Sequence, residues 1–457
     1  VKEKKLSYFL IIGLGKSGIS MAKFLRSKGK TVIATDRDTS KADIETELNA
    51  LGIKTEIGFH DQQTFNRAGV MVPSPGIPLN NEFIKTALDL GVGITGELDI
   101  FTRYNDLPII AITGTNGKTT TTALIGDMLK ASGMNPFVGG NIGTPLVDHL
   151  MTTGKTDVIV AEISSFQLDI SKKFKPGVGV LLNISEDHLD RYETYTAYEN
   201  SKWRIFKNQD TSNKAVINQS ITGFNEKSKI MSSKIFTFSS SPHTPVKSNA
   251  KIDSKKIEII TMDGNITIPS EGLKTLAGTH NRENIAAAVL ACLAFGADIN
   301  GILKGLNAFK NLPHRIEFIK TIEGISFYND SKATNTNAVI RAIECFPNNI
   351  ILILGGREKN TDFPLLVNSV KKNVKTIIAI GESKTHIKDT FENICPIKEA
   401  QTMKDAVQMA FDAAVKDNTG EPAIVLLSPA CASFDMYDSY AHRGNDFTTH
   451  VKALGEK

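Results

Sequence analysis

The sequence predicts an α/β protein of three domains, each built on a mainly parallel sheet. Three observations lead there. Short apolar strands alternate with helical patterns along the whole chain. Two of these strands run directly into glycine turns, Gly13-Leu-Gly-Lys-Ser-Gly18 and Gly114-Thr-Asn-Gly-Lys-Thr-Thr120. Finally, 457 residues far exceed the roughly 250–300 at which a single hydrophobic core stops growing.

The first block, residues 1–106, has expected strands at 9–13, 31–35, 70–73 and 93–95 and a helix at 19–28. The turn signal Asn105-Asp-Leu-Pro108 closes it. The second, 107–311, begins with the apolar strand 107–113 and continues with strands at 157–162, 178–183 and 215–218. A polar stretch at 239–256, rich in Ser, Lys and Pro, reads as a loop or short-strand excursion. A helix at 284–295 follows, with Gly296 placed to stop it. After Asn311-Leu-Pro313 comes the third block, 312–457, with strands at 350–355, 376–381 and 423–427 and helices at 336–345, 365–372 and 403–415. No internal repeat is visible.

Composition narrows the function classes. With 41% hydrophobic and 22% charged residues the chain reads as ordinary globular protein. Its 53 basic and 49 acidic residues nearly cancel to +4, with no long basic run, which argues against a nucleic-acid partner and suits small anionic substrates. Cys292, Cys345, Cys395 and Cys431 lie far apart, with neither metal-ligand nor disulfide-framework spacing, as fits a reducing cytoplasm. Lys2-Glu-Lys-Lys5 before an apolar run imitates a signal peptide, but the run breaks at Gly13 and no small-residue cleavage site follows. No apolar stretch approaches the roughly 20 residues of a membrane span. A cytoplasmic monomer without membrane attachment is expected.

The chemistry concentrates at strand ends. Gly114–Thr120 has the parts of a phosphate-binding turn: backbone N–H groups, a helix N-terminus, the Lys118 charge and a Thr119 hydroxyl within reach of Mg²⁺. It is shorter than the usual motif, since the position five before Gly117-Lys118 is Ile112. Gly13–Gly18, with Asp36 ending the next strand, matches a Rossmann-like dinucleotide fingerprint; any nucleotide diphosphate would fit it, and a nicotinamide oxidoreductase stays open on this block alone. Ser74-Pro-Gly76 falls on the same sheet edge and either closes that pocket or is a simple turn. Glu162 ends a buried strand, where a carboxylate is costly unless it is paired or binds a metal such as Mg²⁺. His188, in Asn183-Ile-Ser-Glu-Asp-His-Leu-Asp190, reads on its own as a hydrogen-bonded structural group. Lys202 reads as a surface lysine. Polar clusters at 328–335, 354–359 and 427–433 end further strands and converge on one candidate site.

Gly114–Thr120, Glu162-Ile-Ser-Ser-Phe-Gln167, Asn183–Asp190, His280-Asn-Arg-Glu-Asn284, Leu312-Pro-His-Arg315 and Asp330-Ser-Lys-Ala-Thr-Asn335 occur in the order typical of Mur ligases, which this chain resembles over essentially its whole length. Gly139-Gly-Asn-Ile-Gly143, Ser428–Asp435 and Arg443-Gly-Asn-Asp-Phe447 resemble most the branch that adds D-glutamate to UDP-N-acetylmuramoyl-L-alanine. The resemblance implies a Rossmann-like UDP-binding domain, a central P-loop ATPase-like domain and a C-terminal Rossmann-like amino-acid domain. It also implies ATP-dependent amide formation through an acyl phosphate, in peptidoglycan precursor synthesis.

Residue roles follow from the resemblance alone. Gly15, Lys16, Ser17, Asp36, Arg37 and Gly76 would bind the UDP portion, with Asn141, Ser164, Gln167 and His188 on the rest of the nucleotide sugar. Gly114, Thr115, Asn116, Gly117, Lys118, Thr119, Thr120, Asn281, Asn284, Arg315 and Asp330 would bind ATP. Two Mg²⁺ (or Mn²⁺) would be held by Thr119, Glu162, His188 and a carbamylated Lys202. Lys118, His188, Lys202 and Lys332 would be catalytic, and Thr334, Lys359, Ser433 and Tyr440 would hold D-glutamate. Arg357-Glu-Lys359 departs from the Gly/Asp-rich family version, and Tyr440 stands where some relatives have Phe. Competing readings keep the chemistry with L-glutamate or another amino acid, or make the chain a non-catalytic UDP-sugar-binding protein. The latter predicts loss of Lys118, Glu162, His188 or Lys202, and all four are present. A folylpolyglutamate synthetase would lack the Gly13–Gly18 domain.

Overall fold

Strand-helix alternation leaves each strand no sequential partner, so the strands pair side by side in parallel and the helices cover both faces. A computed structural model describes residues 8–187, 191–241, 248–261, 264–270, 276, 278–346, 348–358, 361–416 and 423–454. Three sheets form, as the sequence predicts. The first holds β1 (Phe9–Ile12), β2 (Val32–Asp36), β3 (Lys54–Ile57), β4 (Val70–Pro73) and β5 (Gly93–Ile94), in the order β3-β2-β1-β4-β5. All its pairs are parallel. The order reverses between β1 and β4, and there an open sheet forms a ligand crevice.

The second sheet joins β6 (Ile109–Thr113), β7 (Pro136–Gly140), β8 (Val158–Glu162), β9 (Val178–Leu181), β10 (Lys214–Asn218), β11 (Lys234–Ser239), β12 (Ala250–Ile252), β13 (Lys256–Thr261) and β14 (Gly264–Pro269). Its order is β14-β13-β12-β11-β10-β9-β6-β8-β7. β6 lies between β8 and β9, parallel to both, and is buried at every residue. The third sheet, β15 (Glu317–Ile322), β16 (Ile325–Asn329), β17 (Ile350–Leu354), β18 (Val374–Ala379), β19 (Ile397–Glu399) and β20 (Ile424–Leu427), has the order β15-β16-β20-β17-β18-β19. It is parallel except for the edge hairpin β15–β16.

By backbone proximity the chain divides into two compact units: residues 1–251, 258–266 and 284–308, and residues 252–257, 267–283 and 309–457. In the first, one apolar core runs through both sheets, with Phe24 and Phe101 packed in the same cluster as Leu146, Ile159 and Phe206. In the second unit, alternate residues of β17 face opposite layers. Ile350, Leu352 and Leu354 meet Phe363 and Leu366, whereas Ile351 and Ile353 meet Met403, Val407 and Phe447.

Several details differ from the sequence expectation. β3 and β7 carry little strand signal, because one alternates charged residues and the other holds a proline and two glycines. The expected helix at 284–295 begins earlier, as Thr279–Phe295, since its polar first turn hides the helical period. The polar stretch at 239–256 contains the short strand β12, while residues 242–247 lie outside the described residues. No described helix is long and apolar enough to cross a membrane.

Candidate active site

β6 delivers the chain into a turn that only small residues fit. Gly117, at φ +84°, is the N-cap of the helix Lys118–Ala131. A Cβ there would collide with the Asn284 side chain, and one on Gly114 would press on Leu182 and the Asn183 backbone. The end of β9 holds the turn in place. Thr115 N–H donates to the Asn183 carbonyl at 2.9 Å. The Asn183 amide clamps the Asn116 peptide, accepting from its N–H at 2.9 Å and donating to its carbonyl at 3.0 Å. The Thr115 hydroxyl lies 3.0 Å from the Tyr198 hydroxyl and accepts from Ser185 N–H at 3.1 Å. Lys118 Nζ folds over the turn, donating to the Gly114 and Thr115 carbonyls at 2.8 and 2.9 Å. Thr119 is half-buried and Thr120 buried on the first turn of the helix. Asn281 and Asn284, three positions apart on one helix, are both buried.

Beside this turn, β8 ends in Glu162, which is 1% exposed. One of its oxygens accepts from Asn141 Nδ2 at 3.2 Å, and the Asn141 backbone N–H donates to the Glu162 carbonyl. The other oxygen, Oε2, is buried with no hydrogen-bond partner among the described residues. A buried carboxylate oxygen left so is costly, and a hard cation removes the cost. The Glu162 carboxylate therefore fits a hard cation such as Mg²⁺, which it would hold together with the Thr119 hydroxyl. Among the described residues no group of three His, Cys, Asp or Glu forms a metal cage.

Lys202, on the helix Tyr195–Trp203, is 2% exposed, against the surface position its sequence suggests. Its Nζ donates to the Gly114 carbonyl at 2.9 Å and lies 4.5 Å from the centre of the Tyr198 ring. Burial and then the Lys118 charge hold its pKa well below the usual lysine range, against opposing pulls from Asp187, Asp169 and Glu162. A neutral amine is the form that reacts with CO₂.

At the first sheet the Gly13 turn meets Ser74, whose hydroxyl donates to the Gly13 carbonyl at 2.7 Å. Asp36 accepts from Leu14 N–H at 2.6 Å and from Asp38 N–H at 3.0 Å, so its carboxylate shapes the turn. Gly15, Lys16, Arg37 and Gly76 are exposed around it and Ser17 is half-buried, with Arg37 stacked over Phe83. Two cations tie this edge to the second sheet: Lys16 Nζ reaches the Gly143 carbonyl at 2.5 Å and Arg191 Nη1 the Gly76 carbonyl at 2.8 Å. Ser164 and Gln167 form a capping box at the helix Ser165–Ile170. The resemblance gives no role to Arg191, and only long-range pairing reveals it.

The third sheet gathers its own set. Asp330 accepts from Ser428 Oγ at 2.9 Å and from Ile316 N–H at 3.2 Å. Burial pushes its pKa up to about 7, partly opposed by Ser428 and Arg315. Lys332 Nζ lies 5.1 Å from the centre of the Tyr440 ring. Ser433 is buried and Thr334 exposed. Arg443, also buried, donates to the Ser331 and Cys431 carbonyls and to Ser331 Oγ, fastening the 331 and 431 turns together. Its motif stood in the sequence, but its carbonyl partners did not. His188 and Lys359 lie outside the described residues.

Two predictions follow from this geometry. Asn183→Ala strips both partners from the Asn116 peptide, at about 1–3 kcal/mol for buried groups left unsatisfied. ATP affinity, measured by calorimetry, should fall about tenfold or more, with the circular dichroism spectrum unchanged. Asp330 has a folded pKa of about 7, above its unfolded value of 3.8, so its contribution to stability is full below the unfolded value and is lost as pH rises through the folded one. Denaturant unfolding between pH 4 and 8 should therefore show the wild type losing stability relative to Asp330→Asn as pH rises.

The chain is similar to known proteins over nearly its whole length. Residues 112–292 match the Mur ligase middle domain, 7–96 the Mur ligase MurD-like N-terminal domain and 314–431 the Mur ligase glutamate ligase domain. The UDP-N-acetylmuramoylalanine--D-glutamate ligase of Desulfosudis oleivorans is 41% identical over 98% of this chain and 96% of its own length. The protein of that name from Trichlorobacter lovleyi is 39% identical over 97% of this chain and 98% of its own. Among solved structures, a pseudomurein peptide ligase type C from Methanothermus fervidus shares the fold at TM-score 0.61 and 19% identity, covering 98% of this chain and 100% of that one. UDP-N-acetylmuramate-alanine ligase from Thermotoga maritima does so at 0.60 and 18%, covering 98% and 99%. The chain belongs to the Mur ligase family.

Proposed function

We propose that this chain is the cytoplasmic ligase that joins D-glutamate to UDP-N-acetylmuramoyl-L-alanine at the expense of ATP, in peptidoglycan precursor synthesis. One observation carries the mechanism: the unpartnered Glu162 oxygen and the buried, neutral-leaning Lys202 amine flank a single phosphate turn. The names of the full-length relatives supply the substrates.

The β6 turn and its helix N-terminus hold the ATP phosphates, and Lys118 leaves the loop carbonyls to meet them. The alanyl carboxylate attacks the γ-phosphate, releasing ADP and giving an acyl phosphate; the D-glutamate amine then adds to the acyl carbon, and inorganic phosphate leaves from the tetrahedral intermediate as the amide forms. Two anions must approach each other, so positive charge and positioning do most of the work. Bound Mg²⁺ would offset that repulsion, one ion beside Glu162 and Thr119 and a second beside His188 and a carbamate on Lys202. Lys332 meets the transferred phosphate; Thr334, Lys359, Ser433 and Tyr440 hold D-glutamate. The first sheet binds UDP at Gly15, Lys16, Ser17, Asp36, Arg37 and Gly76. Functional domains of 1–106, 107–311 and 312–457 in a monomer complete the reading.

Two measurements test it. Purified protein should release phosphate from ATP only when UDP-N-acetylmuramoyl-L-alanine and D-glutamate are both present, and EDTA should stop it. Equal turnover without the nucleotide sugar, or with L-glutamate in place of the D form, overturns the assignment. Protein equilibrated with ¹³C-bicarbonate should show a carbamate carbon signal that disappears in Lys202→Arg; its absence from the wild type refutes the carbamate.

A further inference from the structure

Glu97 opens the helix Glu97–Tyr104 and is buried, at 7% exposed. Its Oε1 accepts from Leu146 N–H and its Oε2 from Gln167 Nε2, both at 3.0 Å. The other end of the Gln167 amide points to Ser164: Oε1 accepts from the Ser164 backbone N–H and hydroxyl, each at 3.0 Å. Gln167 N–H donates back to Ser164 Oγ at 3.3 Å. Ser164 stands two residues beyond Glu162.

This string of bonds has a direction. A carboxylate accepts at both ends, whereas an amide donates at one end and accepts at the other. With an acceptor at Glu97, the Gln167 NH₂ must face it and the Gln167 oxygen must face Ser164. A reversed Gln167 would set its NH₂ against the Ser164 N–H and break the capping box. Burial pushes the Glu97 pKa up to about 7, so keeping the acceptor form there costs the fold something that an apolar residue would not.

We propose that Glu97 is a positioning residue for the ligase reaction: by fixing the orientation of Gln167 it holds the Ser164 turn, and through it the Glu162 carboxylate, in the geometry that takes a divalent cation. On this view Gln167 orients the turn, its amide being satisfied at both ends. The inference rests on the reading of Glu162 as a cation ligand.

The test uses two variants of the full chain. In E97Q an amide replaces the carboxylate, and whichever way it turns, one donor faces another, at Leu146 or along the Gln167 string. In E97Q/Q167E every donor again meets an acceptor: the new amide at 97 accepts from Leu146 N–H and donates to the new carboxylate at 167, which accepts from Ser164. Mn²⁺ binding in the presence of ATP, read by electron paramagnetic resonance, should weaken about tenfold in E97Q and return to within about threefold of wild type in the double variant. The KM for D-glutamate should stay within about twofold in both. Unchanged Mn²⁺ affinity in E97Q, or a double variant no better than the single one, overturns the inference. If E97Q does not fold, recovery of folded protein and Mn²⁺ binding by the double variant is the readout, and a double variant equally unfolded overturns it. E162Q separates the two layers: Mn²⁺ affinity unaffected by E162Q refutes the cation reading itself. A wild type that binds Mn²⁺ yet releases no phosphate with D-glutamate refutes only the proposed reaction.

Discussion

The site depends on the clamp that the end of β9 places on the phosphate turn. A turn with a left-handed glycine and a lysine folded over its carbonyls would not keep one shape alone. The Asn183 amide and carbonyl give it fixed partners, and parallel pairing puts those partners there: β6 pairs with β9 on one side and β8 on the other. Both neighbours end where β6 ends. The same register that brings Asn183 to the turn brings Glu162 opposite Ile112, one residue short of the strand's last position. A slip of one residue would turn the Glu162 side chain to the opposite face.

From that edge the rest is built by burial. Taking Lys202 out of water removes the reason for it to stay protonated, and the nearby Lys118 charge adds to this. Burying Glu162 with one oxygen unsatisfied leaves the opposite need, for a cation. The two groups occupy one neighbourhood with complementary debts. The third sheet follows the same rule with different residues: Asp330 is buried on Ser428, and Arg443 is buried on carbonyls with no carboxylate bonded to it among the described residues.

Much of this was legible in the sequence, because local patterns carry it. The apolar strand into Gly114–Thr120, the Gly13 turn and the carboxylate ending β8 each lie within a few consecutive residues. What was not legible requires distant segments to meet. Nothing near Asn183 announces that its amide fits the Asn116 peptide, and Lys202 sits in a sequence that suits a surface helix. Glu97, Arg191 and the carbonyl partners of Arg443 are the same case: ordinary charged residues whose importance lies in what another part of the chain brings to them. β15 is antiparallel because a hairpin of Gly324 and its neighbours joins it to β16, a local turn overriding the parallel pattern.

The Gly114 carbonyl accepts from two lysine side chains at once, Lys118 Nζ at 2.8 Å and Lys202 Nζ at 2.9 Å. Sharing one oxygen makes each residue part of the other's environment, and the Lys118 charge disfavours a second charge on Lys202. A substitution that removed the Lys118 charge would also remove the second cause, after burial, that lowers the Lys202 pKa, and so would change two chemical properties at once.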